Sequence, residues 1–349
     1  KTQKVKDVIE RIGHQNPDLV KPALGPKEPW AYRNKMQMPV GGVRGDIQMG
    51  FYAMGSHDIV QGTNCPIQDD GNNRIAQICY DIAKELDVEP YDEHTGKGVL
   101  RHVIGRIGQS GWMVILVTAT EHLPHQEEWV ERITNRIPQV ETIVHNVNSK
   151  RTNVILGPTN YVLYGDGTIT DHIKDLQFTL SPHSFFQVNP EQTTVLYDQA
   201  LAYANLEGNE TVIDAYCGTG TISLFLAHKA KHVIGIEIVE PAIINARENA
   251  RRNGYDNTEF IVADAAVEMP KLYKAGVRPD VIVFDPIRAG CKEEVLTSAA
   301  GMEPKRIVYV SCNPATMARD IEILTHFGYE LQEVQPVDMF PMTAHVETV

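Results

Sequence analysis

Three short strings in this chain carry residue types that do chemistry together: Asp285-Pro286-Ile287-Arg288, Ser311-Cys312-Asn313-Pro314 and His345-Val346-Glu347. Cys312 follows an apolar run and precedes a helix-forming stretch. It is therefore expected near a helix N-terminus, where the dipole favours thiolate over thiol. Glu347 lies in an expected final strand, and the rigid Asp285-Pro286 turn aims a second carboxylate at the space between cofactor and substrate. A sulfur nucleophile with a carboxylate base points to covalent catalysis followed by proton abstraction. The plainer alternatives are a small buried thiol and a solvated glutamate.

A second set of residues indicates what accompanies that chemistry. The run Asp214-Ala215-Tyr216-Cys217-Gly218-Thr219-Gly220 closes one expected strand and opens a helix. Its glycines let backbone approach a ligand at the helix N-terminus. Glu237 ends the next strand, where a carboxylate can accept bonds from ribose hydroxyls. Asp264 ends the third, within reach of an adenine edge. NAD and S-adenosylmethionine both contain adenosine, so these residues fit either. The dinucleotide fingerprint needs a third glycine three positions after the second. Ser223 stands there, which favours the methyl donor.

These residues need a scaffold, and the pattern predicts one. TVIDAYCG, HVIGIEIV, TEFIVADA, DVIVFDP and RIVYVSCN are apolar runs ending in polar or Gly-rich turns, with helical segments between them. That alternation predicts an α/β fold with a mostly parallel, Rossmann-like sheet, whose ligand site lies beyond the strands' carboxyl ends. Before it, strand-like segments over 30–67, 99–107 and 112–118 and helices over 73–86 and 126–137 predict an α+β domain. The expected cut separates an α+β domain, 1–183, from a Rossmann-like domain, 184–349. An amphipathic helix with Val5, Val8, Ile9 and Ile12 on one face, stopped by Gly13, opens the first.

Composition bounds the rest. The net charge of -13 argues against indiscriminate nucleic-acid binding. Residues 1–60, however, hold nine Lys and Arg against six Asp and Glu, so a local basic patch is available. Five scattered cysteines do not make a disulfide framework, and no apolar run could span a bilayer. A cytoplasmic monomer is expected, with no membrane partner. A first residue of Lys rather than Met suggests a trimmed chain.

One reaction explains why a thiol, a base and a methyl donor should occur together. C5 of uracil is barely nucleophilic. Thiolate addition to C6 creates an enolate that makes C5 reactive towards a sulfonium methyl. A base then removes the C5 proton so that the thiol can leave.

SFFQVN around Gln187, the DAYCGTG turn, Glu237, DPIR, SCNPATMARD and the terminal HVE together resemble the RNA uracil-5-methyltransferase family. The resemblance covers essentially the whole chain. It implies a class I, S-adenosylmethionine-dependent methyltransferase domain preceded by a central domain that helps hold RNA. It also implies Cys312 as nucleophile, Glu347 as proton acceptor, and Gln187, Tyr216, Gly218, Glu237, Asp264 and Asp285 around the donor. Phe185 or Phe186 would stack on an extruded base, with Arg288 and Asn313 nearby on the substrate side. Family members usually read Asp-Pro-Pro-Arg where this chain has Ile287, which makes the turn less rigid.

The 23S ribosomal RNA branch typically has an upstream oligonucleotide-binding barrel and three cysteines that join a later one around an iron-sulfur cluster. Cys65, in TNCPIQ, resembles that later cysteine. The other three and the barrel are absent, so a [4Fe-4S] cluster is expected only in a longer protein. Cys65 favours ribosomal over transfer RNA. An NAD-dependent oxidoreductase and a non-catalytic RNA-binding module are the competing readings.

Overall fold

Val5 and Ile9 lie one helical turn apart and both are fully buried, the stripe that defines helix α1 over Thr2–Arg11. A Cβ on Gly13, just beyond, would stand 3.2 Å from the Ala318 carbonyl. In this computed structural model, which describes residues 1–349, the chain divides into two units. One comprises 30–172 and 178–184, the other 1–29, 173–177 and 185–349. The expected single cut after 183 therefore needs correction, because residues 1–29 belong to the second unit. The cause is α1: Val5, Ile9 and Val20 share one core with Ala318, Ile321 and Val334.

The first unit holds β1 (Lys35–Val43), β2 (Asp46–Tyr52), β3 (Ile59–Gln61), α2 (Asp70–Glu85), β4 (Leu100–Ile107), β5 (Trp112–Thr118), α3 (Gln126–Arg136), β6 (Val140–Val147) and β7 (Thr159–Tyr164). The strands form one sheet in the order β3-β2-β1-β4-β5-β6-β7. Only β5 and β6 pair in parallel, and α3 supplies the crossover that such a pair requires. Ile75, Cys79 and Ile82 on α2 pack in one core with Met36 and Met38 of β1. The thiol of Cys79 is thus a core group, pushed up to about 12 by burial. A hairpin of β8 (Ile169–Ile173) and β9 (Leu176–Leu180) follows.

The second unit continues with α4 (Pro190–Ala204), β10 (Thr211–Asp214), α5 (Thr221–Ala227), β11 (His232–Glu237), α6 (Glu240–Arg252), β12 (Thr258–Val262), α7 (Ala265–Lys274), β13 (Val281–Phe284), α8 (Glu293–Gly301), β14 (Arg306–Tyr309), α9 (Pro314–Thr325), β15 (Pro336–Val337) and β16 (Glu347–Thr348). β10 to β14 form an all-parallel sheet in the order β12-β11-β10-β13-β14. Every residue of β13 is buried, as expected for a strand covered on both faces. Two Asn-Pro pairs start helices: Asn189 caps α4 and Asn313 caps α9, each with a proline at the first helical position. The strand order reverses between β10 and β13, so their carboxyl ends flank the crevice where such sheets bind ligands. No helix is long and apolar enough to cross a membrane.

Candidate active site

The crevice is acidic. Asp214 ends β10, Asp285 follows β13, and Glu347 reaches the same region from β16. Asp214 is fully buried and accepts a 2.6 Å hydrogen bond from Ser223 Oγ on α5. The serine in place of a third glycine thus ties the helix to the strand. Burial pushes the Asp214 carboxyl up to about 6 despite that bond. Asp285 is driven well above the usual carboxylate range by burial, then by the charges of Glu347 and Asp214. Burial likewise raises Glu347 to about 7, and only the Arg288 guanidinium opposes it.

Backbone pairing brings Cys312 to Glu347. Ser311 and Thr348 exchange two N–H···O=C bonds of 2.9 Å in an antiparallel bridge. Cys312 follows Ser311 in the bend before α9, Glu347 precedes Thr348 in β16, and the Glu347 charge acts on the thiol. Cys312 is half-buried and lies just before the α9 cap. The expectation of a dipole-favoured thiolate is corrected here. Burial, then Glu347 and Asp285, raise the thiol, while Arg288 pulls the other way. Burial and two carboxylates outweigh one helix terminus.

Side-chain bonds lock this arrangement. Asn313 accepts from the Ala315 N–H at 3.2 Å as the α9 cap, and its amide donates to the Arg288 carbonyl at 3.0 Å. Its side chain therefore joins the DPIR and SCNP turns. Arg288, exposed, lies 3.1 Å from His345 Nδ1 through Nη2. Buried Asp320 accepts from the Cys291 N–H at 2.7 Å and from the Tyr309 hydroxyl at 2.5 Å, fixing the end of the DPIR loop. Lys1 donates to the Phe340 carbonyl at 2.8 Å and Lys4 to the Ala344 carbonyl at 3.2 Å, holding the approach to β16. Asp320 lies inside the ARD string yet carried no sequence-level role. The two lysines gave no signal because their partners are more than 300 residues away.

The turn after β10 leaves space for a ligand. Gly218 has φ +54°, and a Cβ there would meet nothing within 4 Å. Gly220 has φ +80°, and a Cβ would meet Ala246 at 3.1 Å and Phe260 at 3.2 Å. Glu237 accepts from the N–H groups of Gly218 at 3.2 Å and Val239 at 2.9 Å. Asp264 caps α7 through Ala266 N–H at 2.9 Å and pairs with Lys292 at 2.9 Å. Its carboxyl is held low by the Lys292 hydrogen bond. The ring of Tyr216 lies 6.5 Å from that of Phe284, and burial and the neighbouring Cys291 thiol raise its hydroxyl. Gln187 is half-buried two residues before Asn189, whose amide donates to the Met339 carbonyl at 3.1 Å.

The two neighbouring phenylalanines part company. Phe185 is 73% exposed and Phe186 only 7%, so Phe186 is a packing residue and Phe185 alone is free to stack. Phe185→Ala is expected to weaken RNA binding by about 1–3 kcal/mol with unchanged thermal stability. Phe186→Ala should lower stability by about 3–5 kcal/mol. Binding isotherms and melting curves on the two variants check the contrast. Cys65 is half-buried, its backbone N–H and carbonyl both bonded to Asn73. No group of three His, Cys, Asp or Glu side chains is arranged to share a metal ion.

The fold is that of S-adenosylmethionine-dependent methyltransferases, with an extra sheet-rich unit. A family model described as tRNA (Uracil-5-)-methyltransferase matches residues 112–349. An uncharacterized RNA methyltransferase of Halalkalibacterium halodurans is 53% identical across 100% of this chain and 77% of its own length. One of Clostridium acetobutylicum is 50% identical with the same coverages. The crystal structure of the Pyrococcus abyssi tRNA (uracil-54, C5)-methyltransferase in complex with S-adenosyl-L-homocysteine is similar with a TM-score of 0.80 and 26% identity. That match covers 99% of this chain and 81% of the other. The chain belongs to the tRNA (uracil-5-)-methyltransferase family.

Proposed function

We propose that this protein methylates C5 of a uridine in RNA, with Cys312 as nucleophile and Glu347 as the base. The observation that carries the reading is the Ser311–Thr348 bridge, which sets a thiol beside a carboxylate at the mouth of an acidic crevice. That acidity suits S-adenosylmethionine, whose sulfonium and ammonium are positive, and disfavours the negative diphosphate of NAD. Gly218, Glu237, Asp264, Asp285, Tyr216 and Gln187 are the residues that would hold it. When bound, it supplies an electrophilic methyl group.

The chain's own residues do the remainder. The Cys312 thiol gives up its proton to solvent, and its sulfur adds to C6, moving electrons onto the ring as an enolate. After C5 is methylated, Glu347 takes the C5 proton, the double bond re-forms, and the sulfur leaves. Arg288, beside both groups, steadies the negative charge, and Phe185 offers a face for an unstacked base.

Both reacting groups must be ionised, and both are raised in the free protein. The value kcat/KM is therefore expected to rise about a hundredfold per pH unit below 7, where both groups hold their protons, and about tenfold per unit beyond, where only the thiol does. With the cationic donor saturating, the midpoint moves to lower pH. Single-turnover rates between about pH 5.5 and 9 check this, and a flat profile contradicts it.

Ribosomal RNA of the 23S class is the favoured substrate, on the strength of Cys65. Transfer RNA is the second reading, favoured by the likeness to the archaeal uracil-54 enzyme. Incubation with S-adenosylmethionine and each RNA, followed by nucleoside analysis, separates them. The expected product is 5-methyluridine in 23S transcripts. Methylation of another base, or of neither RNA, overturns the reading.

A further inference from the structure

The sheet unit holds a group of cations that the acidic crevice does not use. In the β1–β4 ladder Lys35 stands directly opposite Arg106. Arg33, two residues before Lys35, falls on the same face by the alternation of extended chain. Its backbone is pinned: the Arg33 N–H donates to the Ile67 carbonyl at 2.9 Å, and its own carbonyl accepts from Asp69 N–H at 3.0 Å. The Arg106 guanidinium is buried and donates to the carbonyls of Ser184 at 2.7 Å and Ser181 at 3.3 Å. It is a fixed charge beneath its neighbours, with Asp171 the nearest acidic influence.

Lys35 and Arg33 are only partly exposed, and neither has an ion pair or a side-chain hydrogen bond. Like charges directly opposite in a ladder are destabilising. Burial lowers Lys35 to about 7, and the charges acting on it, Arg106 and Arg33, both repel it. Arg106 is held by its two carbonyls and by Asp171, but no charge in the fold rewards Lys35. An arriving anion would, because it neutralises three cations already held in position.

We propose that Arg33, Lys35 and Arg106 form a phosphate site that grips the backbone of the RNA substrate. The proposal rests on the reading of this protein as an RNA methyltransferase, but it concerns holding the RNA rather than the chemistry. Arg106 supplies the fixed charge, and Lys35 and Arg33 close on the phosphodiester.

The test uses the whole chain and a fluorescent single-stranded oligouridylate, with affinity measured by anisotropy against salt. Lys35→Met is expected to weaken binding several-fold at low salt and to flatten the plot of log K against log salt by about 0.7. Arg33→Met with Lys35→Met should flatten it by about 1.4. Lys35→Arg should restore the wild-type slope. The melting temperature of Lys35→Met should stay the same or rise, since a repelled cation has gone. A wild-type slope in Lys35→Met, or lost affinity with the slope unchanged, overturns the site. Displacement of the oligonucleotide by millimolar inorganic phosphate at constant ionic strength would assign it to a small free anion instead, which also overturns it. If the wild-type chain methylates no RNA and binds none, the functional reading falls as well. If it binds and methylates while Lys35→Met behaves as wild type, only the site falls.

Discussion

Cys312→Ala is expected to reduce methyl transfer by roughly 10⁴-fold or more, the scale on which loss of a covalent nucleophile acts. The loss should fall on kcat, because the residues assigned to the donor are elsewhere, at the ends of β10 to β13 and, for Gln187, in the segment before α4. Donor affinity should change little. Stability should also hold to within about 1 kcal/mol, since the side chain is half-buried and its truncation leaves no buried partner unpaired. Calorimetric titration with S-adenosylmethionine and a melting curve separate this outcome from misfolding. A variant that keeps more than a tenth of the wild-type rate contradicts covalent catalysis.

Glu347→Gln has two expected results that point in opposite directions. Turnover should fall by about 10²–10⁴, the usual contribution of a general base. Cys312 remains, so addition and methylation can proceed while elimination stalls. A methylated RNA–protein adduct should accumulate and survive denaturation. The free variant, by contrast, should be more stable than wild type at neutral pH. The folded state keeps the Glu347 proton up to about 7, whereas the unfolded chain releases it near 4.5. Stability therefore falls as pH rises between those values. The amide removes that penalty, worth up to about 3 kcal/mol above pH 7. Melting curves at about pH 5 and pH 8 should show a gain only at the higher value. A variant less stable than wild type at pH 8 would contradict the electrostatic account of the site.

What the sequence revealed and what it concealed divide along one physical line. The parallel sheet was legible because each apolar run and each Gly-rich turn is local, and so were the carboxylates at the strand ends. Glu237 indeed ends β11, and Asp285 follows β13 directly. Contacts between distant residues were not legible. α1 reads as the start of whatever follows it, yet its stripe is completed by Ala318 and Ile321. Phe185 and Phe186 are chemically identical neighbours, and only the packed chain decides which faces water. The thiol of Cys312 was read from its helix alone, so the counteracting charges of Glu347 and Asp285 were missed. The opposition of Lys35 and Arg106 depends on register, which composition does not carry. Ser223 shows the reverse case. Its identity argued only against a third glycine, and the fold adds a reason for serine through the bond to Asp214.

One measurement addresses the central claim directly. RNA containing 5-fluorouridine, incubated with the protein and S-adenosylmethionine, offers a C5 fluorine where Glu347 needs a proton. The account predicts a denaturation-resistant complex whose peptide map carries methylated fluorouridine on Cys312, and no such complex with Cys312→Ala. A preparation that methylates ordinary RNA yet forms no adduct, or forms one on another residue, would show that the methyl moves without a bond from this sulfur.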